Sequence, residues 1–171
     1  MIVERTTLED ILNSEGTITY TVIGKSMEPM LRQNHDIVTI TQKAPYSRCS
    51  ENDVVLFKKK QKLVLHRIIE VLPDGNYNIL GDNCAIIEKG IKEEDIIGIM
   101  TSFSRDGIKY CVTDDHYYHY VKRLRKNEKI RMRKKYIYDA IVWSLRFIPV
   151  RFLMPIKNVV RRVINCQEKF E

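Results

Sequence analysis

Thr17-Ile18-Thr19-Tyr20-Thr21-Val22-Ile23-Gly24-Lys25-Ser26-Met27-Glu28-Pro29-Met30 is the stretch on which the reading of this chain turns. Residues 17–23 alternate in the period of a half-buried strand. Gly24 then permits a tight turn and a close backbone approach. Pro29 fixes φ and removes a donor, so the segment leaves the sheet rigidly. Ser26 is thereby presented at a strand end, with backbone N–H groups beside it free to face a ligand. A nucleophile with an oxyanion hole needs that arrangement. The donors would be the Ser26 N–H and a neighbour from Gly24 or Lys25. The Lys25 side chain points to the opposite face from Ser26 on an extended chain, which argues against it as the base. Met27 and Met30 read as pocket wall or core. Taken alone, Gly-x-Ser-Met-x-Pro could be only a turn.

Outward from this stretch, short strands separated by turn signals are predicted at Asp36–Thr41, Val54–Lys58, Leu63–Leu72, Tyr77–Leu80, Ile96–Phe103 and Ile108–Val112. Pro73-Asp74-Gly75-Asn76 makes the turn of a hairpin between two of them. The fold class expected is mainly β, a coiled, barrel-like antiparallel sheet. A short helix at Thr7–Ser14 precedes it, with Leu8, Ile11 and Leu12 on one face. From about Asp114 the pattern becomes helical, basic at Tyr120–Tyr138 and apolar and aromatic at Tyr136–Ile156. The organisation expected is a helical lead-in at 1–16, a β-domain at 17–113 and a basic amphipathic tail at 114–171. No internal repeat or low-complexity tract is visible.

Three later segments follow Ser26 in order: Asp53-Val54-Val55-Leu56-Phe57, then His66-Arg67-Ile68, then Gly81-Asp82-Asn83. Together with Gly24-Lys25-Ser26-Met27-Glu28-Pro29 they resemble the ordered motifs of type I signal peptidases and the related LexA-type peptidases, across roughly residues 17–101. The common bacterial members carry a lysine where this chain has His66. The resemblance is therefore to the Ser-His branch of endoplasmic-reticulum, archaeal and some spore-former signal peptidases. It implies a serine endopeptidase acting after a leader or signal segment, with Ser26 as nucleophile, His66 as general base and no cofactor. It further implies a substrate captured as an added strand, with small residues before the cleaved bond.

In the strand around it, His66 shares a face with Val64, Ile68 and Glu70 and points into a half-buried surface. Its ordinary pKa suits proton transfer near neutrality. A histidine base needs a third group to hold its tautomer. Two acids compete: Asp82, which could instead hold its own loop, and Glu88, six residues later, where the Ser-His relatives carry a second acid. Asn83 could simply order that turn. His35 reads as surface variation, and His116 with His119 lack a third ligand, so no metal is expected.

The charge is divided. Residues 1–118 hold 14 Lys+Arg against 18 Asp+Glu, and residues 119–171 hold 15 against 4, which together give the net +7. The asymmetry points to an anionic membrane surface as a partner of residues 119–171, in preference to nucleic acid. Four scattered cysteines without a Cys-x-x-Cys pair read as reduced thiols. Met1–Glu15 is charged throughout, which reads against a signal peptide, and no uncharged run is long enough to span a bilayer. A cytoplasmic or peripheral-membrane location is expected. Two other readings compete: a non-catalytic membrane- or nucleic-acid-associated module on the same fold, and a LexA-type self-cleaving regulator. The second lacks an Ala-Gly or Cys-Gly bond to cut and a DNA-binding domain before the strands.

Overall fold

The computed structural model describes residues 8–44, 47–60 and 62–145. Helix α1 (Leu8–Glu15) leads into strands β1 (Thr17–Thr21), β2 (Ile37–Gln42), β3 (Val54–Lys59), β4 (Lys62–Val71), β5 (Tyr77–Leu80) and β6 (Glu88–Ile91). After a 3-10 turn at Glu93–Asp95 come β7 (Ile96–Arg105), β8 (Ile108–Cys111), and helices α2 (Asp115–Lys126) and α3 (Glu128–Leu145). The described chain divides into two compact units at Met132/Arg133.

Eight strands join one antiparallel sheet, seven of them in the order β1-β2-β7-β3-β4-β5-β6 and β8 beside β7. The long β7 pairs with β2 along one edge; along the other it meets β3 through Ile96–Ile99 and β8 through Ser102–Arg105. The sheet does not close, which corrects the expected barrel-like form: it has two ends, at β1 and β6. Register shifts at Thr39/Ile40, Leu56/Phe57, Ile68/Glu70 and Tyr77/Ile79 break the ladders locally, the kind of irregularity that bends and twists a sheet.

The centre of the sheet is covered on both faces. Val54 and Leu56 of β3 pack with Leu12, Met27, Met30, Val38 and Met100. Val55 and Phe57 pack with Ile68, Tyr77, Ile79 and Ile96 on the other side. This is why Val54-Val55-Leu56-Phe57 is continuously apolar where the outer strands alternate: each strand face has its own core to enter.

The region expected to be helical from about Asp114 is formed by two helices. Helix α2 starts at Asp115 and stops at Asn127, and α3 runs on from Glu128. Val121 and Leu124 of α2 are buried, and Tyr117 and Tyr120 pack against the first core. The unit bearing the sheet extends to Met132 and takes in α2. The proposed tail segment at 146–171, including Phe147, Pro149, Phe152, Pro155 and Cys166, lies outside the described residues. Among the described residues no helix is long and apolar enough to cross a membrane. Among the described residues no disulfide joins Cys49, Cys84 and Cys111 to one another.

Candidate active site

The serine turn hangs between β1 and β2 and is tied at its base. Val22 donates to Asp36 O at 2.9 Å, and Asn34 donates to Val22 O at 2.8 Å. Gly24 has φ +91° with open space around it, so glycine is required here for its conformation and not for room. Met27, Met30 and Leu31 are buried and anchor the segment in the first core. Arg105 Nη2 donates to the carbonyls of Pro29 (2.9 Å) and Met30 (2.7 Å) and to Asp36 (2.8 Å). Burial pushes the fully buried Asp36 carboxyl up, but hydrogen bonds from Arg105 and Arg32 outweigh that and hold it below its ordinary value. An ionised carboxylate beneath the turn fixes its shape. The expected reading of His35 as a surface residue agrees with its exposure.

Ser26 is half-buried at the tip. The N–H groups of Gly24, Lys25, Ser26 and Met27 find no acceptor among the described residues. Unpaired donors around one hydroxyl are the material of an oxyanion hole.

His66 lies in β4 opposite Val55, on the face of the second core, 7% exposed and with its ring 6.2 Å from that of Phe57. Its Nδ1 is 3.1 Å from Glu88 Oε1, and Glu88 Oε2 is 3.0 Å from Lys59 Nζ. The pull of Glu88 on the ring is chiefly that of its charge, with a smaller hydrogen-bonding share. Burial lowers the His66 pKa; Glu88 pulls it up and Lys59 pushes it down, and the sum leaves it below its ordinary 6.5. The ring is therefore neutral at neutral pH, with a lone pair available.

Gly81, Asp82 and Asn83 bring the two together. Asn83 N–H donates to Ser26 O at 2.7 Å, and Asn83 Nδ2 donates to Lys25 O at 3.0 Å. A Cβ on Gly81 would stand 2.7 Å from Ser26 O, 2.9 Å from His66 Nε2 and 2.7 Å from Cys84 Sγ. The serine carbonyl and the outer imidazole nitrogen thus converge on one point, which only a residue without a side chain can occupy. His66 Nε2 lies against Gly81, and Nδ1 faces Glu88. The Ser26 hydroxyl itself makes no hydrogen bond to His66 in this structure. Such bonds are often long before substrate arrives.

Asp82 faces elsewhere. It is buried, and it accepts from Arg67 Nε and Nη2 at 2.9 Å each and from the Tyr120 hydroxyl at 3.1 Å. Of the two acids the sequence left open, Glu88 is the one against His66, and Asp82 is engaged by Arg67.

Beside Ser26 runs a cleft of about 220 Å³. Tyr20, Val22, Ile23 and Gly24 form one wall, with Met27 in its floor; Leu63, Val64 and Leu65 form the other. Both walls carry free strand edges. Among the described residues β1 pairs with β2 alone, and β4 pairs only with β3 until Arg67, where β5 joins it. Among the described residues no cluster of three His, Cys, Asp or Glu is placed to hold a metal ion.

Arg67, Lys59, Tyr117 and Tyr120 received no role from the sequence. Arg67 carried a usable signal: a charge inside the apolar run Leu63–Val71 requires a buried carboxylate. No family model matches this chain, and no curated protein matches it at a significant level.

Proposed function

We propose that the chain is a serine endopeptidase of the signal-peptidase type, cutting a polypeptide after a leader or signal segment. The observation that carries this reading is the convergence of Ser26 O and His66 Nε2 on Gly81, with Glu88 at the other ring nitrogen. In the proposed reaction His66 Nε2 takes the Ser26 Oγ proton as the oxygen attacks the scissile carbonyl. The unpaired N–H groups at Ser26 and its neighbours receive the oxyanion. His66 then returns the proton to the leaving amine, and a water repeats the sequence on the acyl-enzyme. Glu88 stabilises the imidazolium, and Asp82 is a structural acid. Substrate enters as an extended segment between Ile23–Gly24, whose N–H groups are unpaired among the described residues, and the edge at Leu63–Leu65; the two offer backbone pairing and apolar walls. Small residues are expected before the cut bond, on the resemblance of the motifs. A mass-spectrometric comparison of new peptide termini tests the proposal. Wild-type and Ser26→Ala proteins are each co-expressed with leader-bearing precursors. Termini present only with wild type support it; identical termini in the two samples sink it.

Two substitutions probe the charge relay. Glu88→Gln is expected to lower kcat by about 10²–10⁴-fold. It also removes the carboxylate that raises the His66 pKa, so the acid limb of the pH–rate profile moves further down. Lys59→Met removes a charge that lowers it, so that limb moves up. Limbs that stay fixed in both variants would exclude His66 as the titrating base.

The exposed Lys129, Arg133 and Lys134 of α3, interspersed with the exposed Ile130 and Ile137, support a peripheral seat on an anionic membrane. Replacing the three basic residues with Gln is expected to weaken co-sedimentation with phosphatidylserine vesicles by about tenfold or more at 0.1 M salt. Undiminished binding would remove that role.

A further inference from the structure

Arg67 is wholly buried, and one guanidinium joins the serine turn, the Gly81–Asn83 loop and helix α2. It holds Asp82 through Nε and Nη2 at 2.9 Å each, Met30 Sδ of the serine turn through Nη2 at 2.9 Å, and Asn52 O through Nη1 at 2.9 Å. By sequence it adjoins His66, as Asp82 adjoins Gly81 and Asn83. The remaining contacts of this pair come from one element only, the helix α2. Arg67 Nη1 donates to the Tyr117 hydroxyl at 2.9 Å, and the Tyr120 hydroxyl donates to Asp82 Oδ2 at 3.1 Å. A third tie is Arg125 Nη2, which donates to Ile69 O at 2.6 Å, next along β4. The two tyrosines are three residues apart and share the helix face that carries the buried Val121 and Leu124.

We propose that α2 is part of the catalytic apparatus, with Tyr117 and Tyr120 as positioning residues that set the Gly81–Asn83 loop, and through it Ser26 and His66, by completing the Arg67–Asp82 pair. The inference deepens the peptidase reading and rests on it for its catalytic consequence. Packing alone does not account for the arrangement, since phenylalanine would fill the same space. The hydroxyls supply what phenylalanine lacks: an acceptor for Arg67 and a further donor for Asp82, in a region where an unpaired polar group is costly. Burial pushes both phenols up, Tyr120 the more so beside Asp82, so the hydroxyls keep their protons throughout the working range. The outer face of α2 exposes Lys122, Arg123 and Lys126.

The test is the double variant Tyr117→Phe/Tyr120→Phe in the full chain, with Tyr118→Phe, whose side chain is exposed, as control. Amide hydrogen exchange reads the Asn83 N–H, which is bonded to Ser26 O, against Ile40 in β2. Expected is an exchange rate at Asn83 about tenfold faster, with Ile40 unchanged, and a kcat about tenfold lower at constant KM. The control and the single variant Tyr120→Phe bracket the effect, the first showing none and the second an intermediate one. Unchanged exchange at Asn83, or a uniform rise through every strand, overturns the proposal. Exchange at Asn83 needs no substrate, so it decides the positioning role separately from whether Ser26 cuts peptides.

Discussion

Ser26→Ala is expected to reduce leader cleavage by about 10⁴-fold or more, and His66→Gln by a similar factor. The two should differ sharply from each other in stability. The Ser26 hydroxyl makes no hydrogen bond among the described residues, and the turn is held by Gly24, Asp36, Arg105 and the buried methionines. Its removal leaves every one of those ties intact, so denaturation midpoints should coincide with wild type. His66 is 7% exposed against Phe57, and its Nδ1 faces Glu88. Truncation to alanine would open a cavity in the second core and strip Glu88 of one of its two partners, which costs about 2–4 kcal/mol by analogy with other large-to-small core changes. Glutamine keeps most of the volume and separates loss of the base from loss of packing. The double variant Ser26→Ala/His66→Gln should be no slower than either single one, because residues acting as a unit are not additive. Cleavage retained in either single variant, measured on purified precursor by mass spectrometry, would remove the dyad.

Much of this site could be read from sequence order alone, because its parts are short segments with strong local signatures. Gly24 to Pro29 announces a turn after an alternating strand, and the observed turn follows β1 with Gly24 at positive φ. Seven strands were anticipated to within a residue or two. β6 was not. Glu88-Lys89-Gly90-Ile91 has no apolar alternation, and Gly90 takes a φ of +67°. That strand carries Glu88, so the choice between the two acids could not be made before the fold was known. What decides it is a long-range pairing: Arg67 occupies Asp82 from across the β4–β5 hairpin. The openness of the sheet is another non-local property, since it depends on whether β1 and β6 meet. Reading the region from residue 114 onward as a tail followed charge, and charge reports only the outer face of α2. Lys122, Arg123 and Lys126 are visible in a charge count; Val121 and Leu124, which dock the helix, are not.

Arg67→Met is expected to have the largest effect on stability, about 3–5 kcal/mol, because it strands a buried carboxylate. Arg67 and Asp82 are 0% and 1% exposed, joined at 2.9 Å through two parallel N–H···O bonds. Neither charge has water to fall back on. With the guanidinium gone, Asp82 keeps the Tyr120 hydroxyl, and a single neutral donor does not balance a full charge. Asp82→Leu should be comparably harmful, since it leaves the guanidinium with the Tyr117 hydroxyl, the Asn52 carbonyl and Met30 Sδ. The pair removed together is the informative case. Arg67→Met/Asp82→Leu leaves no uncompensated charge and keeps an apolar fill, so much of the lost stability should return. Activity should not return with it. The loop would then rest on packing where it now rests on two directional bonds, and Asn83 would no longer hold Ser26 O in register. Urea unfolding followed by circular dichroism measures the first quantity, and cleavage of the same precursor measures the second. A double variant that is both stable and fully active would mean that the ion pair serves folding alone. A stable but inactive one assigns it to the geometry of the serine turn, with its cost in desolvation retained for the sake of position.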